Sequence, residues 1–475
     1  MAGRPPPRRG MSAALAEAHR LAAAGEAAAA LALYDGILAG DPAAADAANN
    51  AGVLLRRLGA GEAAIRRYRQ ALAAVPDHPD AGWNLGRALL EADQADEAWL
   101  HLRRAAALRP GWERWHGLGR ACQARGDLAG AEAAYARALA ARPEAAETLN
   151  NLANIRQAAG QPEAALALQD RALALDPGNA DLHYNRALLL LLLGRWAEGW
   201  REHEWRWQAA GFVSPRRRFA SPAWDGGPLP GGTLLLHWEQ GLGDTIQFCR
   251  YAAAARARVG RLVLEVQPPL ATLLHGLPGV DAVAAAGDPV PPHDAHAALL
   301  SLPLLLGQAL PGPPPSRLAA ALRPEPGRTG LVWAGNPKHL NDRNRSLPLG
   351  LLAPLLARPG RRWVSLQLGP RQADIAAAGL AGRLEDLSPT LADFAATAAA
   401  LVRLELLITV DTAVAHLAGT LGVPTWLLLP HAPDWRWGTA GETTPWYRSL
   451  RLWRQPAPGD WAALLPRLQD ALASR

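Results

Sequence analysis

Three short segments in the second half of the chain carry residue types suited to an anionic, hydroxyl-rich ligand. The first, WEQGLGD at 238 to 244, sets Glu239, Gln240 and Asp244 around Gly241 and Gly243. A short apolar run ending at His237 precedes it and an amphipathic stretch from Thr245 follows, so the glycines relieve crowding in a strand-to-helix turn. Asp244 then sits at a helix start, where the helix dipole and nearby amides favour its ionised form. Such a carboxylate orients a hydroxyl as readily as it removes the proton, and its competing use is to cap the helix. Glu239 is the second candidate for base or hydroxyl binding, and Gln240 either positions the bound group or holds the loop. The second segment is DTAVAHLAG at 411 to 419. There Thr412 and the amides near Ala413 open a helix whose N-terminus suits an anion, and His416 lies four residues on, on the same face. Asp411 suits hydroxyl or loop hydrogen bonds, because it would repel an anion.

The third segment, GNPKHLNDRNRS at 335 to 346, gathers Lys338, His339, Arg343 and Arg345, with Asn336 and Ser346 as hydrogen-bonding partners. Cations in such a loop neutralise charge that develops on a phosphate; a solvated turn is the alternative. Lys338 is the one lysine among 49 basic residues. Asp434, beside His431, Trp435 and Trp437, could accept a hydroxyl hydrogen bond, and the indoles could cover a ligand ring or pack the C-terminal helix. His293, Asp294 and His296 have the look of a metal cluster, but no matched remote ligand accompanies them, so no metal is expected.

Short strands alternating with helical stretches must hold these segments. TLLLH, RLVLEV, VDAVAAAG and AHAALLSLP build one lobe, and TGLVWAG, RRWVSLQLG, RLEDLS, LLITVDT and PTWLLLP build another. This alternation predicts mainly parallel sheets covered on both faces, with a cleft at the carboxyl ends of the strands. PGPPPS at 311 to 316 and RPEPGR at 323 to 328 bracket a short helical piece and mark the boundary between lobes 233–322 and 329–475.

The first half reads as repeats. Prolines 42, 76, 110, 143 and 177 recur every 33 or 34 residues, as do Gly25, Gly59, Asp93, Gly126, Gly160 and Gly194, and again Asn50, Asn84, Gly117, Asn151 and Asn185. The first two series divide each unit into two helices, with Gly or Asp in the tight turn and Pro at the next helix start. A 34-residue helix-turn-helix period, with NLG at 84 to 86 and the endings QALAAVPDHP and RALALDPGNA, resembles the tetratricopeptide repeat over residues 12–208, about five units and the start of a sixth. The row Asn50, Asn84, Asn151 and Asn185 could grip the backbone of an extended peptide or satisfy neighbouring helix groups. Trp196, Trp200, Trp205 and Trp207 would cap the stack or wedge it against the next domain. Residues 209–232 form the connector.

A formal charge of +6 over 475 residues, with no basic stripe interleaved with aromatics, argues against nucleic acid. Cys122 and Cys249 are too few and too distant for a disulfide framework, the start lacks an apolar signal core, and the leucine run 188–193 is too short to span a bilayer. The cytoplasm is the expected compartment.

Four ordered segments, WEQGLGDTIQFCRY, GLVWAGNPKHLNDRNRS, DTAVAHLAGTLGVPTWLLLP and PDWRWG, resemble the ADP-heptose:lipopolysaccharide heptosyltransferase superfamily over residues 233–470, and specifically bacterial proteins that fuse tetratricopeptide repeats to such a domain, akin to flagellin glycosyltransferases. The resemblance implies an all-α superhelix followed by an α/β GT-B domain of two Rossmann-like lobes, the N-terminal one on the acceptor side. It implies an inverting, metal-independent glycosyltransferase with a nucleotide sugar as co-substrate and no other cofactor. Asp244 matches the family's base. The 411–419 segment would hold the donor, Thr412, Ala413 and His416 at the diphosphate and Asp411 at ribose or loop hydrogen bonds, aided by Asn336, Lys338, Arg345 and Ser346, while Gln240, Gly241, Gly243 and Asp434 would be loop residues or touch sugar or acceptor. A protein acceptor held by the repeats is expected, with flagellin suggested by the resemblance. The other readings are a transferase of lipopolysaccharide or surface-glycan synthesis, and a nonenzymatic scaffold with a degenerate transferase domain.

Overall fold

The computed structural model describes residues 9–214, 216–312, 322–339 and 341–474. An N-terminal tetratricopeptide superhelix of twelve helices is followed by an α/β region of parallel sheets. Contacts divide the chain into two compact units, Met1–Arg156 with Ala167–Pro177, and Gln157–Leu166 with Gly178–Arg475. In this division the helices of the sixth hairpin, from Gly178 onward, group with the α/β region.

Alanine-rich helices dominate the first unit. Hairpins form from Arg9–Ala23 with Ala27–Gly40, Ala45–Arg57 with Gly61–Ala74, Pro79–Glu91 with Ala95–Leu108, and Trp112–Ala124 with Leu128–Ala141. The turn residues Gly25, Gly59 and Gly126 all have φ between 77° and 82°, and Asp93 occupies the same left-handed region at 58°. Prolines 42, 76 and 110 lie in the inter-repeat turns, two or three residues ahead of the next helix, rather than inside its first turn. Small residues let paired helices approach closely. A Cβ on Gly52 would meet Tyr68 Cε1 at 2.6 Å, one on Gly86 would meet Leu102 Cγ at 2.5 Å, and one on Gly119 would meet Tyr135 Cε1 at 2.5 Å. Those Gly positions repeat at the same 33 or 34 residue spacing, each receiving a buried side chain from its partner helix.

In the second unit, β1 (Leu229–His237), β2 (Val259–Val266), β3 (Ala282–Ala285) and β4 (Ala295–Ala298) make a parallel sheet in the order β3-β2-β1-β4. The second sheet contains β5 (Arg328–Val332), β6 (Arg362–Ser365), β7 (Leu384–Asp386), β8 (Leu406–Val410), β9 (Thr425–Leu429) and β10 (Leu450–Arg454), all parallel, ordered β10-β9-β8-β5-β6-β7. That order is the doubly wound one, whose direction of winding reverses between the first and fourth strands, here β5 and β8. The first sheet reverses likewise beside β1. β10 escapes the sequence reading because Leu450-Arg-Leu-Trp-Arg454 alternates at a sheet edge instead of forming an apolar run. The connector hydrogen-bonds along β4, with Trp224 N–H donating to His296 O at 2.8 Å. Most of the 311–322 boundary piece, residues 313–321, lies outside the described residues.

The sixth hairpin, Ala180–Leu192 with Trp196–His203, ends in a shortened second helix. Its indoles act as a wedge. Trp200 packs edge-on against Phe248 and Trp435 at centroid distances of 5.7 and 5.4 Å, and Trp196 against Trp446 at 5.6 Å. Leu191, Leu192 and Trp200 thereby share one core with residues of both sheets. Among the described residues, no helix is long and apolar enough to cross a membrane.

Gly119→Val is expected to destabilise the repeats by about 1–3 kcal/mol through overpacking against Tyr135. Urea unfolding of the full chain followed by circular dichroism checks this; an unchanged midpoint would mean that the Tyr135 ring swings clear.

Candidate functional site

The loops after β1, β5, β8 and β9 converge at the winding reversals of the two sheets. β1 delivers Glu239, Gln240 and Gly241, and the helix Leu242–Phe248 carries Asp244 in its first turn. Asp244 Oδ2 accepts from the Gly241 N–H at 2.8 Å, closing the turn as a cap. Its Oδ1 is paired with the Arg436 guanidinium. Arg436, in the loop after β9, is buried and also donates to Gln247 Oε1 at 2.6 Å and Asp434 Oδ1 at 2.9 Å, while stacking 4.2 Å over the Trp435 ring. Burial raises the Asp244 carboxyl above its ordinary value, opposed by Arg436 and the Gly241 amide. The carboxylates around Arg436 hold its charge firmly on.

The helix Ala413–Leu421 begins directly against this turn. A Cβ on Gly243 would lie 2.8 Å from His416 Cδ2 and 3.4 Å from Ala413 Cα, so two helix N-termini meet where only glycine fits. Thr412 is the N-cap, with extended backbone and no side-chain cap bond, and its hydroxyl lies 3.5 Å from that of Thr409. Asp411 is pushed up to about 6, first by burial and then by the neighbouring Asp434 charge, against the Trp437 indole and the Arg436 and Arg345 charges.

The loop after β5 folds over the same place. Arg345 donates to Asp411 O at 3.1 Å and to Asp342 Oδ1 at 3.3 Å, and its guanidinium lies on Gly335. Ser346 Oγ accepts from Gly335 N–H and donates to Asp342, each at 2.9 Å. Asn336 Oδ1 accepts from the Lys338 N–H at 3.0 Å, and Lys338 is exposed. Lys338 makes no ion pair among the described residues. His339, though exposed, is held below its ordinary value by partial desolvation and by Arg345, against the charges of Asp434, Asp342 and Asp244.

Several sequence-level expectations change on contact with this geometry. Glu239 is 3% exposed and accepts from Arg206 Nε at 2.9 Å, Arg206 Nη2 at 3.0 Å and the Leu300 N–H at 3.0 Å. A carboxylate so enclosed holds the loop and leaves no face for a substrate hydroxyl, so it is removed from the catalytic candidates. Burial holds His416 well below its ordinary value, its Nδ1 lies 2.9 Å from the Tyr447 hydroxyl, and its ring stacks on Trp437. Of the two forms in which this histidine could meet a phosphate, a neutral donor or an imidazolium, the surroundings disfavour the charged one. Trp435 and Trp437 are buried in packing, which excludes them as ligand covers. The His293, Asp294 and His296 side chains turn to separate partners, Pro291 O, the Thr233 N–H and Ser221 Oγ. In the first unit, Asn50 and Asn84 belong to a side-chain chain with His19 and Asn49, in which Asn84 donates to Asn49 Oδ1 at 2.9 Å and Asn49 donates to Asn50 Oδ1 at 3.1 Å. Those two thus satisfy neighbours. Asn151 and Asn185 are half-buried.

Four residues were not singled out in the sequence: Arg436, Arg206, Gln247 and Tyr184. Arg436 lay inside PDWRWG, a segment already conspicuous, and could have been found as the cation facing Asp244. The Tyr184 hydroxyl comes from the sixth hairpin and reaches the Gln240 side chain; burial pushes it up to about 12. Nothing in HYN at 183 to 185 announces that contact.

Tetratricopeptide-repeat models match residues 55–122, 116–180 and 168–201. The molecule is therefore a tetratricopeptide-repeat protein whose repeats run into a doubly wound α/β region. The chain is 30% identical to Protein FlbA of Caulobacter vibrioides over 492 aligned residues, covering 94% of this chain and 82% of that protein. It belongs to the FlbA family. Among solved structures, YrrB, described as a TPR protein with an unusual peptide-binding site, is 26% identical with a TM-score of 0.33, covering 35% of this chain and 86% of that one. MamA from Desulfovibrio magneticus RS-1 is 19% identical with a TM-score of 0.34, covering 36% and 97%.

Arg436→Met is expected to cost about 3–5 kcal/mol, because it strands Asp244 without its cation; urea unfolding of the full chain measures it. Asp411 should titrate as a destabilising acid. Its folded value of about 6 lies above the ordinary 3.8, so its contribution is present below the lower value and is lost as pH rises through the higher one. Asp411→Asn should then raise stability at neutral pH on the order of 1–3 kcal/mol, with the gain vanishing below the unfolded-state value in a pH series of thermal midpoints.

Proposed function

We propose that this protein is an inverting, metal-independent glycosyltransferase that moves a sugar from a nucleotide-sugar donor to a protein acceptor recruited by its repeats. The observation that carries the reading is the meeting, at the reversal points of two doubly wound sheets, of an acid-bearing turn, a helix N-terminus and a cation-bearing loop. Ligands of open α/β sheets bind at such points. In this proposal the two sheets are the lobes of a GT-B domain. The donor diphosphate takes the Thr412–Ala413 helix start, whose first-turn N–H groups have no intrahelical acceptor. Lys338 and Arg345 balance the negative charge that grows as the bond from the anomeric carbon to the phosphate oxygen breaks.

The acceptor hydroxyl attacks the anomeric carbon from the Asp244 side, which inverts the configuration. Asp244 has one oxygen anchored by Gly241 and the other by Arg436; it aligns the hydroxyl and receives its proton. In this reading Gln240 and Asp434 bind sugar or acceptor hydroxyls. Tetratricopeptide repeats point to protein interaction, and with flagellin suggested by the sequence resemblance, flagellin is the acceptor to test.

Incubation of the full chain with a panel of nucleotide sugars and flagellin, read by intact mass, should show a sugar adduct. Asp244→Asn should lower kcat by about 10²–10⁴-fold and leave donor binding intact. Lys338→Ala should weaken donor binding and lower turnover by about 10²–10³-fold. If the unaltered chain binds no nucleotide sugar and transfers none, the reading falls.

A further inference from the structure

A groove of about 330 Å³ lies in the first unit, far along the chain from the loops described above. Its walls are the second helices of the third and fourth hairpins, and its floor is Trp115 and Leu118 of Trp112–Ala124. Ala107 on one wall and Ala133 on the other leave the space open. The exposed Leu100, 54% accessible, extends the apolar surface on the face that carries Arg103 and Ala107, at the helical spacing of i, i+3 and i+7.

Arg103 and Arg137 flank this apolar floor. Neither forms an ion pair among the described residues, whereas the adjacent Arg104 pairs with Asp77 and Arg125 with Asp96. Both guanidiniums lie over indoles, Arg103 at 4.3 Å from the Trp99 ring centroid and Arg137 at 4.6 Å from that of Trp115. A guanidinium held on an indole keeps its charge and N–H donors for a carboxylate. With Arg137 covering the Trp115 face, that ring is not free to stack a nucleic-acid base. The fit is to an apolar side chain flanked by acidic ones.

We infer that this groove docks a polypeptide segment in which acidic residues flank an apolar anchor, the carboxylates meeting Arg103 and Arg137 and the anchor resting on Leu118. The site is separate from the asparagine row and does not depend on the transferase reading.

The test uses the full chain and the fluorescent peptide Ac-GELFEG-amide, with Ac-GQLFQG-amide and oligo(dT) as comparisons, in fluorescence-anisotropy titrations at low salt. The acidic peptide should bind at least about tenfold more tightly than the amide form, and R103Q/R137Q should remove that preference. Arg104→Gln should leave binding unchanged. Ala133→Leu, which keeps every charge but fills the groove, should weaken the acidic peptide at least about tenfold. Absence of binding, equal binding of the two peptides, a preference for oligo(dT), or indifference to R103Q/R137Q and Ala133→Leu would each overturn the inference.

Discussion

The Arg436 guanidinium is the constraint on which the α/β half depends. It is buried, yet its three nitrogens are committed to Asp244, Gln247 and Asp434, so one side chain from the loop after β9 fixes the helix that follows β1. A charge so far from water is tolerable only with matched carboxylates and good geometry. The arrangement therefore sets both the position of Asp244 and the separation of the two helix N-termini. Glycine at 243 follows from that separation, since a methyl group there would strike His416.

A second buried arginine does the same work nearer the repeats. Arg206 is fully enclosed and donates to Glu239, Glu204, Ser301 and the His203 carbonyl. Combined with the edge-on packing of Trp196 and Trp200, it makes the sixth hairpin a part of the α/β core instead of a detachable cap. His203 sits among these groups, where burial and the Arg206 and Arg436 charges depress its protonation. Tyr184 extends the same hairpin to Gln240, which links the last repeat to the acid-bearing turn.

Much of this was readable in order along the chain. The recurrence of Gly25, Gly59, Asp93 and Gly126 gave the turns because a left-handed backbone restricts residue type at a fixed spacing. Apolar runs such as LLITV and TWLLL gave buried parallel strands, and the three loops at 238–244, 335–346 and 411–416 stood out because their chemistry is local. Glu239 and Asp244 show the limit. Both are acids in one turn, and only the burial of Glu239 against Arg206, 33 residues upstream, separates a structural carboxylate from one at the rim. The protonation of His416 is equally invisible in the sequence, since burial and the Arg436 and Arg250 charges, brought in from distant positions, depress it.

The residue order by itself determined the periodic hairpins, the alternation of strand and helix, and which loops carry acid, amide and cation, because each rests on spacing or on the intrinsic chemistry of neighbouring residues. Only the tertiary structure decided which of those groups are enclosed, which arginine faces which carboxylate, and where the repeats merge with the sheets. Desolvation and ion pairing depend on atoms brought together from distant positions, and no local pattern records those distances.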